Sequence, residues 1–322
     1  MKFSGTLKIY EDFIVEEILS ERFIHSYKRT GKGIEKSSGD YALFLLKKQN
    51  MNTMDVIKEL EKKFQRSIGF AGLKDKKAVT SQYVTIKIDK INNAAESCLI
   101  KERHAIENIS MYSDYKNSDA WFKLNFVKFV HGQLSPGDLR GNKFTITLHD
   151  CSDIEKLPKI IKSVRNGIPN FFGNQRFSEK NHIIGRKIIR TGKSVFAKDL
   201  TKFYIHAYQS FLFNNALKKY LKKQLKLLNS KELSVPGYNT VLGNKKFDRI
   251  LTDILKAEKI SLRNFKIDKL GIMCRGSMRM PMIYPDISYE VRDNDIILRF
   301  TLPKGAYATV VLDHICNWKD ER

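Results

Sequence analysis

Between Gly69 and Gln82 the sequence reads Gly-Phe-Ala-Gly-Leu-Lys-Asp-Lys-Lys-Ala-Val-Thr-Ser-Gln, which sets one carboxylate, Asp75, among Lys74, Lys76 and Lys77. Neighbouring cations favour the ionised form of an acid and attract phosphate, and an ionised carboxylate can serve as a nucleophile. Gly69 and Gly72 let the backbone turn tightly and approach a ligand. These residues alone leave two readings open: a nucleophile beside a polyanion, or a turn acid that balances its lysines. The cysteines (Cys98, Cys151, Cys274, Cys316) are far apart and form no Cys-x-x-Cys, and the seven histidines show no HxxxH or HExxH spacing. Neither a metal site nor a disulfide framework is expected, and the cysteines read as reduced thiols.

The rest of the chain must hold Asp75 in place and supply its partner. With 322 residues, 42% hydrophobic and 11% aromatic, it can bury one large core or two. The net charge of +23 and pI near 9.7 point to a polyanion, with nucleic acid first. Charge is concentrated in residues 180–266, which hold 20 Lys plus Arg against 5 Asp plus Glu. No long apolar run or basic amphipathic helix with bulky apolar anchors suggests a membrane. The start, Met1-Lys2-Phe3-Ser4-Gly5, lacks the apolar core of a secretory signal, so a cytoplasmic location is expected.

Around Asp75 the pattern gives a helix, then the loop, then a strand. Asn52 is placed to cap a helix striped by Val56, Leu60 and Phe64, while Tyr83–Ile88 alternates as a strand with one buried face. Residues 31–40 read as a loop before the strand-like Tyr41–Lys48. Residues 3–18 read as two short strands or a bent one, 137–148 as a tight turn feeding a strand, and further strands are expected at 121–129, 296–302 and 307–312, with helices from Pro158 to about Gly167 and over 201–223. In the last helix Ile205, Tyr208, Leu212, Ala216 and Tyr220 follow helical spacing and read as core.

Residues 72–82 resemble the G-x-K-D-[KR]-x-A-x-T-x-Q signature of the TruD family of pseudouridine synthases, which implies that Asp75 is the catalytic nucleophile. Glu11-Asp12-Phe13 with Val15 and Glu17 is similar to that family's opening motif, which implies a substrate-side role for Phe13 and a nucleophile-side role for Lys8. The spacing of Lys8 from Phe13 departs slightly from the family's, so another base is an alternative. Gly141-Asn142-Lys143-Phe144 resembles G-N-x-F, implying that Asn142 binds substrate and Phe144 packs beside the extruded base. Residues 167–177, 207–214 and 302–309 also match family motifs in order, and in the last Tyr307 is the aromatic bordering the substrate.

The resemblance implies an α+β fold: a pseudouridine-synthase-like catalytic domain with a mainly antiparallel sheet flanked by helices (1–166 and 277–322), interrupted by an inserted, basic, largely helical TRUD domain (167–276). It further implies conversion of uridine to pseudouridine in tRNA, nominally at position 13, by a monomer without cofactor or metal. Lys74, Lys76, Lys77, Arg176, Arg186, Lys187, Arg190, Lys193, Lys218, Lys219, Lys222 and Lys223 are the candidate RNA contacts. A catalytically silent RNA-binding protein or tRNA-folding chaperone on the same scaffold is the alternative. A basic nuclease would require clustered carboxylates or a histidine pair, which the sequence lacks.

Overall fold

The computed structural model describes residues 2–21, 39–88, 106, 108–115, 119–223, 232–243 and 245–322, which divide into two compact units. The loop expected at 31–40 lies largely outside the described residues, as does Cys98. The first unit comprises Met1–Leu157, Asp286–Gly305 and Cys316–Arg322; the second comprises Pro158–Pro285 and Ala306–Ile315. The fold is α+β.

An eleven-stranded sheet forms the first unit. Its strands are β1 (Phe3–Leu7), β2 (Phe13–Leu19), β3 (Tyr41–Gln49), β4 (Ile68–Phe70), β5 (Val79–Lys87), β6 (Ser110–Tyr115), β7 (Ala120–Val130), β8 (Leu139–Ser152), β9 (Ser288–Arg292), β10 (Asp295–Pro303) and β11 (Cys316–Asp320). The main path runs β9-β10-β8-β2-β5-β3-β7-β6, with β1 joining β8 to β11 and β4 pairing with β5. Only β1–β11 and β2–β5 are parallel. Helix α1 (Thr53–Phe64) buries Val56, Ile57 and Leu60 against Phe44, Leu46, Val84 and Phe122 of the sheet. Each such side chain contributes about 1.5–3 kcal/mol of burial. Asn52 occupies the helix's N-cap position, yet its side chain donates to Asp55 (2.9 Å) and caps no backbone N–H.

This arrangement fixes the Asp75 loop at both ends. Gly69 on β4 admits no side chain: an added Cβ would lie 2.5 Å from Thr85 Oγ1 and 2.9 Å from the Leu134 carbonyl. The loop therefore leaves β4 pressed against β5 and re-enters β5 at Val79, opposite Ile14 of β2.

In the second unit α2 (Leu157–Arg165), α3 (Asn181–Thr191), α4 (Lys198–Lys223), α5 (Lys246–Ala257) and α6 (Ala308–Ile315) carry most of the structure, with six short strands between them. The expected stripe of α4 is core: Ile205, Tyr208, Leu212 and Ala216 pack with Ile188 and Ile189 of α3 and with Phe247 and Leu251 of α5. Residues 307–312, expected as a strand from their β-branched content, instead open α6. Ala308, Val311, Leu312 and Ile315 recur at helical spacing and are all buried, so burial on one helical face outweighs the local strand preference. No helix among the described residues is long and apolar enough to cross a membrane.

Candidate active site

The Asp75 loop is fastened by groups from four other elements. Lys48, from the interior strand β3, is 0% exposed, and its ammonium donates to the carbonyls of Met51 (2.8 Å) and Asp75 (2.8 Å). Thr53, at the start of α1, accepts from the Lys74 amide (3.0 Å) and donates to Gln82 Oε1 (3.3 Å), while Gln82 Nε2 donates to the Gly72 carbonyl (3.3 Å). Lys74 turns inward to a fully buried ion pair with Glu17 of β2 (2.6 Å), whose second oxygen accepts from the Tyr83 amide (2.9 Å). A buried pair with its remaining lone pairs satisfied holds one geometry, and here it locks β2, β5 and the loop together. Asp75 itself is half-buried, and Lys76 and Lys77 are exposed.

Electrostatics single out Lys48. Burial lowers its pKa from 10.5 to about 8, the Asp75 charge pulls it back up, and Lys74 pushes it down. A protonated Lys48 at neutral pH thus sets positive charge against the Asp75 backbone carbonyl and within electrostatic influence of its carboxylate. Lys8 lies elsewhere, partly exposed and paired with Asp150 (2.6 Å), a contact that raises its pKa through the hydrogen bond to that acid.

Phe13 and Phe144 face each other across β2 and β8, edge to face at 6.1 Å, and Phe144 stacks on Phe300 of β10 at 5.5 Å. Both are covered, at 2% and 4% exposure, so they form an aromatic layer within the sheet's packing. Asn142, two residues before Phe144, is half-buried, and its Oδ1 is sealed from solvent with no hydrogen-bond partner among the described residues. An orphaned acceptor of this kind is uncommon in folded proteins. Arg322 connects this layer to the loop. Its side chain is 5% exposed, donates to the Lys77 carbonyl (2.6 Å) and to Asp320 (2.8 and 3.1 Å), and lies 5.1 Å over the Phe13 ring. Behind Phe13, Asp12 accepts from the amides of Lys8 and Ile9 and meets His149 (2.9 Å), whose other ring nitrogen meets Asp295 (2.8 Å).

In the second unit, half-buried Tyr307 packs edge-on to Phe172 (6.3 Å). Arg279 stacks over Phe172 (4.0 Å) and reaches Tyr307 (5.9 Å), with its guanidinium bonded to Asn170 and to the Phe171 carbonyl.

Comparison with known proteins agrees with these motifs. The model of the family described as tRNA pseudouridine synthase D (TruD) matches residues 2–197 and 230–315. The chain belongs to the TruD family. That family consists of isomerases. The protein named tRNA pseudouridine synthase D from Legionella pneumophila is 28% identical, over 96% of this chain and 93% of its own. The one from Aquifex aeolicus is 25% identical, over 94% and 97%. A crystal structure given for TruD from Methanosarcina mazei superposes with a TM-score of 0.63 at 20% identity, covering 98% of this chain and 94% of that one, which shows the shared fold.

Within this TruD chain the expected RNA contacts fall into different settings. Lys76, Lys187, Lys193, Lys218, Lys219 and Lys222 are exposed; the side chain of Lys223 lies outside the described residues. Lys77 is tied to the Arg322 carbonyl (3.1 Å). Lys74 is consumed by Glu17, and both Arg186 (2.5 Å) and Arg190 (3.4 Å) pair with Glu258. Arg176 is half-buried over the Phe203 ring (5.7 Å). Among the described residues no group of three or more His, Cys, Asp or Glu is placed to hold a metal. Sequence reasoning missed Lys48 and Arg322. A partial signal for Lys48 was present: it lies two residues past a continuous apolar run, Ala42–Leu46, typical of a strand buried on both faces, with the exposed Lys47 between.

Proposed function

We propose that the protein isomerises uridine to pseudouridine in tRNA, at position 13, with Asp75 as nucleophile, acting as a monomer without cofactor or metal. The observation that carries this reading is the half-buried Asp75, held in a TruD signature loop beside the buried ammonium of Lys48. The C1′–N1 bond of the uridine breaks, the uracil turns, and C5 bonds to C1′. The C5 proton leaves and N1 regains one, so atoms and oxidation state balance, and a carboxylate able to bond transiently is sufficient.

Lys48, not Lys8, is the lysine that serves Asp75 in this reading. It holds the loop backbone through the Asp75 carbonyl and offers positive charge to the carboxylate. Asn142 binds the uracil, the role that the family's G-N-x-F motif implies. Phe13 and Phe144 pack on each other within the sheet, and Tyr307, steadied by Phe172 and Arg279, keeps the aromatic role that the family implies. The exposed Lys76, Lys218, Lys219 and Lys222 contact phosphates.

Forming the C5–C1′ bond expels the hydrogen from C5. Unmodified tRNA transcribed with tritium at uracil C5, incubated without metal or nucleotide, releases about one tritium per tRNA into water. Binding without release would reject the isomerase in favour of an RNA-binding protein.

A further inference from the structure

In the second unit, α3, the turn that follows it and the short helical turn Asp268–Leu270 enclose a groove of about 760 Å³. Its walls are apolar: Ile184 and Ile188 from α3, Phe196 from the turn, and Leu270 opposite. Phe196 is 39% exposed although its ring packs on Tyr204 at 4.9 Å, and its neighbour Val195 is 96% exposed. The wall is built and held. Gly192 ends α3 at φ +64, the Lys193 amide bonds Thr191 Oγ1 (3.3 Å), the Phe196 amide bonds Ser194 Oγ (3.2 Å), and that hydroxyl meets Thr201 (2.7 Å).

Lys187, Lys193 and Lys269 border this apolar slot. Their charge is available: among the described residues no ion pair joins any of them to a carboxylate, whereas Arg186 and Arg190 on the same helix are both held by Glu258. Three ammonium groups around an apolar slot with an aromatic wall repel a cationic occupant, and a purely hydrocarbon one would leave their charge unused. They complement a ligand that alternates a flat, weakly polar ring with anions.

We propose that this groove is a second RNA-binding site, which takes one unpaired nucleotide of the tRNA with its base against Phe196 and Leu270 and its flanking phosphates on Lys187, Lys193 and Lys269. The inference rests on the reading of the protein as a tRNA-modifying enzyme and adds a contact that reads exposed bases as well as backbone. The volume suits it, since ligand sites commonly span about 300–1,000 Å³. Base–aromatic stacking supplies affinity without demanding one sequence.

The test uses the full chain and an unmodified tRNA carrying 4-thiouridine at its unpaired uridines. Irradiation is expected to cross-link peptides covering 183–196 or 269–270. Phe196→Leu keeps apolar bulk and removes the ring face, and it should weaken tRNA binding about tenfold with the melting temperature retained. Replacing Lys187, Lys193 and Lys269 together with glutamine should reduce the slope of log affinity against log salt by about two, at roughly 0.7 per contact to an unpaired strand. Absence of cross-links to these peptides, or wild-type affinity and salt slope in both variants, would overturn the proposal. Cross-links in the wild type and weakened binding in the variants, together with no pseudouridine formed by the wild type, would leave the groove standing and reject only the isomerase reading. Normal turnover with unchanged binding in both variants would do the reverse.

Discussion

Replacing Lys48 with methionine separates what that residue does for the fold from what it does for catalysis. The fall of its pKa from 10.5 to about 8 measures the disadvantage of carrying a charge there. At about 1.4 kcal/mol per unit, the ammonium costs the folded state roughly 3 kcal/mol relative to the unfolded chain. Methionine removes that cost but leaves the carbonyls of Met51 and Asp75 without their donor, a loss of about 1–3 kcal/mol for each. The two effects are of similar size, so the melting temperature at pH 7 should change little. Turnover should fall about a hundredfold, the scale for removing one preorganised electrostatic group. The linkage also has a definite sign. The unfolded lysine keeps its proton to pH 10.5 and the folded one only to about 8, so wild-type stability gains from this group as pH rises through that window. The methionine variant lacks that gain, and wild-type turnover should decline above pH 8 as Lys48 loses its charge. Thermal melts and single-turnover rates on the same preparations from pH 7 to 10 measure both quantities. A methionine variant that reacts at the wild-type rate, or a wild-type rate insensitive to pH across this range, would refute the reasoning.

Arg322→Ala removes the bond to the Lys77 carbonyl and the cation over Phe13, and is expected to slow single turnover about tenfold, with partial recovery when free guanidinium is added. Asn142→Ala deletes an acceptor that has no partner among the described residues, so its melting temperature should hold while kcat/KM drops about a hundredfold; a large loss of stability would make Asn142 structural. Phe144→Leu breaks the stack on Phe300 and the edge contact with Phe13, and should destabilise the chain by about 1–2 kcal/mol in denaturant titration.

The sequence made some of this legible because the information was local. The loop from Gly69 to Gln82 declared its chemistry through residue types, and the helix before it, the strand after it and the α4 stripe followed from periodicity, whereas the short β4 leading into the loop did not. What escaped was set by distant chain. Lys48 is buried by Met51 and by a carbonyl 27 residues away, and Arg322 meets Lys77 across 245 residues. Lys74, Arg186 and Arg190 show the converse: each looks like an RNA-facing cation by sequence, yet folding brings Glu17 or Glu258 to it. The segment beginning at Ala308 has β-branched residues that favour a strand locally, and its buried helical face decides otherwise.

The central claim is that Asp75 performs the isomerisation. Wild-type protein and Asp75→Asn, each with unmodified tRNA and neither with metal or nucleotide, can be compared by chemical mapping of pseudouridine at every position alongside tRNA affinity. The account expects one pseudouridine, at position 13, from the wild type, and none from the amide variant, which keeps the shape and the tRNA binding but lacks the nucleophilic charge. Pseudouridine formed by Asp75→Asn at an appreciable rate, or none formed by the wild type, would contradict it.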